Sequence, residues 1–371
     1  MRILTFAGEA SGDAYAARLM EAVRARNPEA ELIGVGGPKL AATGAHLIAR
    51  SDSWGAIGVA ESLKVVPRVL RAVRRVRQEF STGTPGLFVP IDYGYANVRL
   101  ARDAKALGWR VLYFVPPGSW RRGPQGKDLP HVTDAIVSPF SWSAEALREA
   151  GAEAYWFGHP LLELMPPVAT DRTRAGWAVL PGSRPKELAM HLPLLAGAAR
   201  RAAEPWPTLT FALAAATDPE PVRRTWVRLS GRTDDAFRVD ATVDVLAGAT
   251  FALVCSGTAT LQAALCDTPH VIFYRADKAV EFQAWITRFR RPVHFGLPNL
   301  LLDERVVPEL IQEVATPENL EPLVREALGT AETQRAGFAR VRSVLGGTDA
   351  IQRTADLAIE IYNRPRALTS K

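Results

Sequence analysis

Three short runs set small, polar and charged residues directly after apolar, strand-like stretches: Gly8-Glu9-Ala10-Ser11-Gly12-Asp13, Leu180-Pro181-Gly182-Ser183-Arg184, and Cys255-Ser256-Gly257-Thr258-Ala259-Thr260-Leu261-Gln262. In each, glycine lets the backbone turn tightly into a helical segment. The free N–H groups at the start of that helix then face a place where an anion or a sugar oxygen can sit. In the second run, Gly182 and Ser183 allow amides to approach a diphosphate, and Arg184 brings a guanidinium to it. In the third, the hydroxyls of Ser256, Thr258 and Thr260, the small Gly257 and Ala259, and the helix dipole aim at the same kind of anion. Neither run holds a Walker lysine and no kinase signature accompanies them, which favours a nucleoside diphosphate over ATP-driven chemistry. In the first run Ser11 and Asp13 suit helix capping. Glu9, held between small residues at a strand end, is the candidate functional carboxylate. Gly34-Val35-Gly36-Gly37 departs from dinucleotide spacing and runs straight into Pro38, so it reads as a tight structural turn.

The elements that must position these loops alternate along the whole chain. Ile3–Ala7, Leu32–Val35, Leu87–Ile91, Val111–Val115 and Ala135–Val137 read as strands, interleaved with helical segments such as Ala14–Arg26 and Ala96–Leu107. Proline pairs and polar residues then mark an interdomain linker near 163–175. The pattern restarts with Trp177–Leu180, Leu209–Leu213, Phe237–Val239, Phe251–Cys255 and Val271–Tyr274. This predicts an α/β protein of two Rossmann-like, doubly wound domains facing each other across a cleft, over about 1–165 and 172–346. A C-terminal helix at about 347–371 is expected to pack back on the first domain. Ligands of such sheets sit at the carboxyl ends of strands, where all three runs lie.

Composition narrows the function. The chain has 371 residues, 47% hydrophobic and 23% charged, enough for two globular cores and far from a disordered balance. No apolar run approaches the ~18 residues of a membrane-spanning helix. The N-terminus reads as a strand and not as a secretory signal. Two cysteines, Cys255 and Cys266, exclude a disulfide framework and point to a reducing cytoplasm. The six histidines are scattered without metal-ligand spacing, so no metal and no cofactor is expected.

The net charge of +6 is uneven. Lys64, Arg68, Arg71, Arg74, Arg75 and Arg77 occupy a stretch with no acidic residue, on a predicted helix Leu63–Phe80. Val66, Val69, Leu70, Val73, Val76 and Phe80 form its apolar face, with Pro67 placed in the first turn. Arg68, Arg71 and Arg75 line the adjacent stripe, a pattern suited to an anionic membrane surface. A helix packed on its own sheet with solvated arginines outside is the plainer alternative. Nucleic acid is not expected as a partner, because the stripe lacks interleaved aromatics.

Five motifs together (Gly8–Asp13, Gly158-His159-Pro160, Leu180–Arg184, Ser256–Thr260 and Leu297-Pro298-Asn299-Leu300) resemble those of the lipid-A-disaccharide synthase family, in order and at similar distances. The resemblance implies a GT-B type, metal-independent, inverting hexosyltransferase. It would move 2,3-diacylglucosamine from UDP to 2,3-diacylglucosamine 1-phosphate at the cytoplasmic face of the inner membrane. The partners it implies are a UDP-sugar donor, a lipid-linked sugar acceptor and the membrane surface. Position by position, it implies that Asp92 is the general base, with Glu9 a second acidic residue on the acceptor side. Arg184 and Ser256–Thr260 then belong to the diphosphate region, and Asn299 is a polar donor-side position.

Two departures stand out. The family usually has Glu where this chain has Gln262, in the position that meets ribose hydroxyls in related transferases. The family's acceptor segment is replaced here by Tyr93-Gly94-Tyr95-Ala96-Asn97 and by Pro116-Pro117-Gly118-Ser119-Trp120-Arg121-Arg122, followed by the loop Gly123–Pro130. A UDP-N-acetylglucosamine 2-epimerase-like enzyme, a glycolipid glycosyltransferase and a non-catalytic lipid-binding relative are the competing readings.

Overall fold

The computed structural model describes residues 1–52, 54, 59–117, 128–165, 173–275 and 293–365. The run 118–122, most of the loop 123–130 and the middle of the linker 163–175 lie outside the described residues. The chain divides into two compact units. One holds Met1–Trp54, Leu63–Leu164 and the chain from Leu345 onward, and the other is built on Met165–Val344.

In the first unit seven strands form one sheet: β1 (Arg2–Ala7), β2 (Glu31–Gly36), β3 (His46–Arg50), β4 (Leu87–Ile91), β5 (Arg110–Phe114), β6 (Ala135–Val137) and β7 (Ala154–Tyr155). Their order is β3-β2-β1-β4-β5-β6-β7 and every pairing is parallel. Ile3, Leu4, Phe6, Leu87, Phe88, Val89 and Ile91 are fully buried, as unbroken apolar strands must be when helices cover both faces of the sheet. Thr5, the buried polar residue of β1, donates its hydroxyl to the carbonyl of Val89, so its burial leaves no lost hydrogen bond. The helix Ala350–Asn363 packs against the helix Ala10–Arg26 of the same unit, with an Arg26–Asp356 ion pair at 2.5 Å.

The second unit repeats the plan with six parallel strands: β8 (Trp177–Leu180), β9 (Leu209–Leu213), β10 (Ala236–Val239), β11 (Phe251–Cys255), β12 (His270–Tyr274) and β13 (Glu309–Ile311). Their order, β10-β9-β8-β11-β12-β13, matches that of the first unit with β8 in the place of β1 and β11 in the place of β4. Trp177, Phe211, Trp226, Phe251 and Phe273 fill its core.

Several expectations need correction. β3 and β13 are sheet edges with half-buried residues, and β7 has two residues, so none shows the continuous apolar run that marks the inner strands. β5 stops at Phe114 because Val115 sits at φ 54, a left-handed conformation that a β-branched residue rarely adopts. The basic helix runs over Val59–Ser81, so Pro67 lies inside it and not in its first turn. Its core face is Ala72, Val76 and Phe80, with Val65, Val69 and Val73 partly buried beside them. Val66 and Leu70, expected on that face, are 44% and 60% exposed.

Candidate active site

Both sheets reverse strand order at one point, between β1 and β4 and between β8 and β11. A crevice at the carboxyl ends of strands opens at such a point. In the first unit the pairing Ala7↔Ile91 sets the two strand ends side by side, so Gly8-Glu9 and Asp92-Tyr93 emerge as neighbours. This brings together the two carboxylates singled out in the sequence.

Asp92 is held from several directions. Its N–H donates to the carbonyl of Val115 at 3.1 Å. Its own carbonyl accepts from the Tyr113 hydroxyl at 2.7 Å and from Asn97 Nδ2 at 2.8 Å. Asn97 is fully buried, and its amide also reaches the carbonyls of Ile91 and Phe6, tying the ends of β4 and β1 together. Asp92 and Tyr93 both lie at φ 48, and Val115 at φ 54. Three strained non-glycine residues at two adjacent strand ends persist only because these bonds over-determine them, a pattern concentrated at functional sites. The ring of Tyr93 lies over Gly8: a Cβ at that glycine would fall 2.3 Å from the ring. Phe6 and Trp54 pack on the same ring, each with centroids 5.9 Å away.

Burial pushes the Asp92 carboxyl up from its ordinary 3.8 to about 6, and the nearby charge of Glu9 adds to the rise, against a hydrogen bond from the Tyr93 backbone. A carboxylate poised there is ionised at neutral pH yet basic enough to take a proton in a transition state. Glu9 itself is exposed and begins the helix Ala10–Arg26 without a side-chain capping bond. Asp13 does not cap that helix either. It is buried and accepts the N–H groups of Gly37, Lys39 and Leu40, which locks the turn after β2 to the turn after β1. The Gly34–Gly37 run is accounted for by this packing.

In the second unit Leu180 pairs with Val254, which places Pro181–Arg184 beside Ser256. The loop is more internally tied than its sequence suggests. Glu187, buried one turn into the helix Pro185–Arg201, accepts the N–H of Ser183 at 2.8 Å and of Arg184 at 3.2 Å through Oε2. Its Oε1 pairs with the Arg184 guanidinium at 3.0 Å. The amides of Ser183 and Arg184 are therefore engaged within the loop, while the half-buried guanidinium is aimed by its carboxylate partner. Gly182, at φ 117, leaves the space that Glu187 fills, since a Cβ there would meet its carboxylate at 2.5 Å. His191 is buried, with Nδ1 2.6 Å from the Pro181 carbonyl and Nε2 accepting the N–H of Arg275 at 3.0 Å. Those partners fix the Nδ1–H tautomer, and burial lowers its pKa, so a neutral imidazole links the ends of β8 and β12. Sequence reading missed both Glu187 and His191. The Arg184–Glu187 spacing, that of a capping box, was the available signal for the first.

The third run is divided in its roles. Ser256 Oγ donates to the Phe295 carbonyl at 3.3 Å, and Thr260 Oγ1 donates to the Gly257 carbonyl at 2.8 Å while accepting the N–H of Leu297. These two hydroxyls hold the loop. Thr258, Ala259 and the exposed Gly257, at φ 150, form the start of the helix Thr258–Leu265, where amides have no intrahelical acceptor. Gln262 sits four residues after Thr258, on the same helix face and half-buried. Burial pushes the Cys255 thiol far up and raises Cys266 to about 12, which disfavours the thiolate at both.

Asn299 departs most from expectation. It is completely buried, its Nδ2 donates to the Val307 carbonyl and to Glu309 Oε1, and its Oδ1 accepts the N–H of Val307. Both amide hydrogens are engaged, and Glu309 in turn accepts the N–H groups of Phe295 and Gly296. His159 of Gly158-His159-Pro160 is likewise buried, accepts the N–H of Leu161 through Nδ1, and has its pKa lowered to about 4 by burial.

A family model described as lipid-A-disaccharide synthetase matches residues 3–356. A lipid-A-disaccharide synthase of Myxococcus xanthus is 35% identical over 379 residues, covering 97% of each chain. One of Neisseria gonorrhoeae is 34% identical over 331 residues, covering 84% of this chain and 83% of its own. Among solved structures, UDP-GlcNAc 2-epimerase from Neisseria meningitidis bound to UDP-GlcNAc superposes with a TM-score of 0.65 at 10% identity, covering 97% of this chain and 100% of that one. Arabidopsis thaliana UGT89C1 complexed with UDP-L-rhamnose gives 0.62 at 11% identity, covering 97% and 98%. At such identity the superpositions establish a shared two-sheet fold.

Proposed function

Since the chain belongs to the lipid-A-disaccharide synthase family, we propose that Asp92 is the base of its transfer reaction and that Arg184 and the Thr258–Leu265 helix start serve the departing diphosphate. The protein is an inverting hexosyltransferase that moves 2,3-diacylglucosamine from UDP to 2,3-diacylglucosamine 1-phosphate. The observation that carries the residue assignment is a carboxylate raised to about 6 at the switch point of the first sheet. As an acceptor hydroxyl oxygen attacks the anomeric carbon, Asp92 takes its proton. The bond from that carbon to the diphosphate oxygen breaks and UDP leaves with the electron pair. Burial keeps Asp92 basic, and the charge of Glu9 adds to it. On the donor side the Arg184 guanidinium and the helix-start amides meet the growing negative charge. Gly182 and Ser183 shape that loop around Glu187, Gln262 offers its amide to the nucleotide, and Ser256, Thr260 and Asn299 hold the neighbouring backbone.

Arg184→Ala is expected to weaken UDP binding by ~1.5–3 kcal/mol, the scale of a hydrogen bond to a charged group, read by titration calorimetry. Unchanged UDP affinity would remove Arg184 from the donor site and leave the helix start alone.

We also place the basic helix against the cytoplasmic membrane face. Val66 and Leu70, one turn apart, are exposed, and Arg68 and Arg71 flank them. No helix among the described residues is long and apolar enough to cross a membrane. Val66→Ser combined with Leu70→Ser is expected to lower sedimentation with anionic vesicles at least ~10-fold, since burying each such side chain is worth ~1.5–3 kcal/mol. Equal sedimentation of parent and variant would move the docking surface elsewhere.

A further inference from the structure

We propose that the first unit holds a phosphomonoester in a pocket of about 250 Å³ beside the basic helix, lined by Trp54, Arg50, Arg68, Arg71 and Arg75. Arg50 ends β3, and the other three arginines share one face of the helix Val59–Ser81, at spacings of three and four residues. Two separate elements thus contribute four arginines to the lining of one small cavity. Arg75 Nη1 donates to the Ile48 carbonyl at 2.6 Å and Arg71 Nε to the Pro67 carbonyl at 3.3 Å. Neutral carbonyls fix these side chains without cancelling their charge. Arg50 is neutralised by its ion pair with Asp52 at 2.7 Å, so the positive charge of the cavity comes from the helix, from Arg71 and Arg75. The guanidinium fork matches phosphate oxygens in geometry as well as in charge. The volume lies below the ~300–1,000 Å³ usual for drug-sized ligands and suits a small headgroup.

The pocket adjoins the candidate base. Its wall Trp54 lies 5.9 Å, centroid to centroid, from Tyr93, the residue that follows Asp92. Resting on the transfer reaction assigned above, the phosphomonoester is the 1-phosphate of the acceptor sugar. Its ring then crosses the Trp54–Tyr93 edge and its hydroxyl meets Asp92. A phosphomonoester lipid headgroup shares the same chemistry, and the experiment separates the two.

The protein and its Arg75→Gln and Arg50→Gln variants are titrated calorimetrically with glucosamine 1-phosphate and with glucosamine. Acceptor kinetics are run with and without the acceptor phosphate, and melting curves check that each variant folds. The parent is expected to bind the phosphorylated sugar and not glucosamine, with each variant at least ~10-fold weaker, as for loss of a charge-assisted hydrogen bond. Removing the acceptor phosphate should raise the parent's KM by a similar factor, yet change that of the variants less than ~3-fold, while UDP affinity stays constant. Vesicles carrying phosphatidic acid or phosphatidylglycerol form the second arm. If Arg75→Gln abolishes a preference for phosphatidic acid while acceptor KM is unmoved, the site stands and its occupant is a lipid headgroup. Equal binding of glucosamine and glucosamine 1-phosphate by the parent, with no preference for phosphatidic acid, overturns the proposal. The calorimetric arm needs no turnover, so it decides the pocket even if no acceptor is glycosylated.

Discussion

Asp92→Asn is expected to lower kcat by ~10²–10⁴-fold, the range for removing a positioned general base, with UDP affinity unchanged because the donor loops belong to the other sheet. Asparagine keeps the size of the side chain and leaves the backbone bonds to Val115, Asn97 and Tyr113 in place, so the loss reports the missing carboxylate. The parent's kcat should fall as pH drops through about 6, where Asp92 takes up a proton, and the variant should lose that limb. Stability should move the other way. The folded pKa of Asp92 lies above its ordinary 3.8, so its contribution to stability is fully present below about 4 and is lost as pH rises through about 6. At pH 7–8 the variant, which has no charge to bury, is therefore expected to melt higher than the parent, and the gain should vanish below pH 4. A variant with parental kcat and an intact acid limb would give the base role to another group, Glu9 first.

The second large effect tests geometry alone. Gly8→Ala adds one methyl group, which would fall 2.3 Å from the Tyr93 ring. Phe6 and Trp54 press on that ring, so it has little room to yield, and the displacement passes to the adjacent Asp92. A shift near 1 Å at a catalytic group costs ~10²-fold in rate, and that loss in kcat is expected here with little change in UDP binding. Pairing the change with Tyr93→Ser should restore part of the rate, a non-additivity that marks residues in contact. Full activity in Gly8→Ala would show that the loop repacks without moving the carboxylate.

How much was legible before the fold was known depended on what each feature requires. The inner strands announce themselves because parallel strands covered on both faces are continuous apolar runs, as in β1, β4 and β11. The three loops at their ends were found through glycine and hydroxylic residues at the strand–helix junctions, and the sheet order explains why they matter. The edge strands β3 and β13 gave no such signal. The partners inside the site were also hidden. His191 is fixed by the ends of two strands, Glu187 by the loop just before its own helix, and Asn299 reads as a ligand-facing amide until Val307 and Glu309 occupy it. The basic helix was recognised, but the division of its valines and leucine between core and solvent is set by which face the sheet takes. Val66 and Leu70 fall outside that face.

The most direct test supplies UDP-2,3-diacylglucosamine and 2,3-diacylglucosamine 1-phosphate in detergent and measures released UDP, the disaccharide 1-phosphate and the configuration of the new glycosidic bond. The expected result is UDP and disaccharide in equal amounts, with inversion at the anomeric carbon and no added metal required. UDP released without disaccharide, a retained configuration, or a 2-epimerised sugar in place of a glycolipid would contradict it.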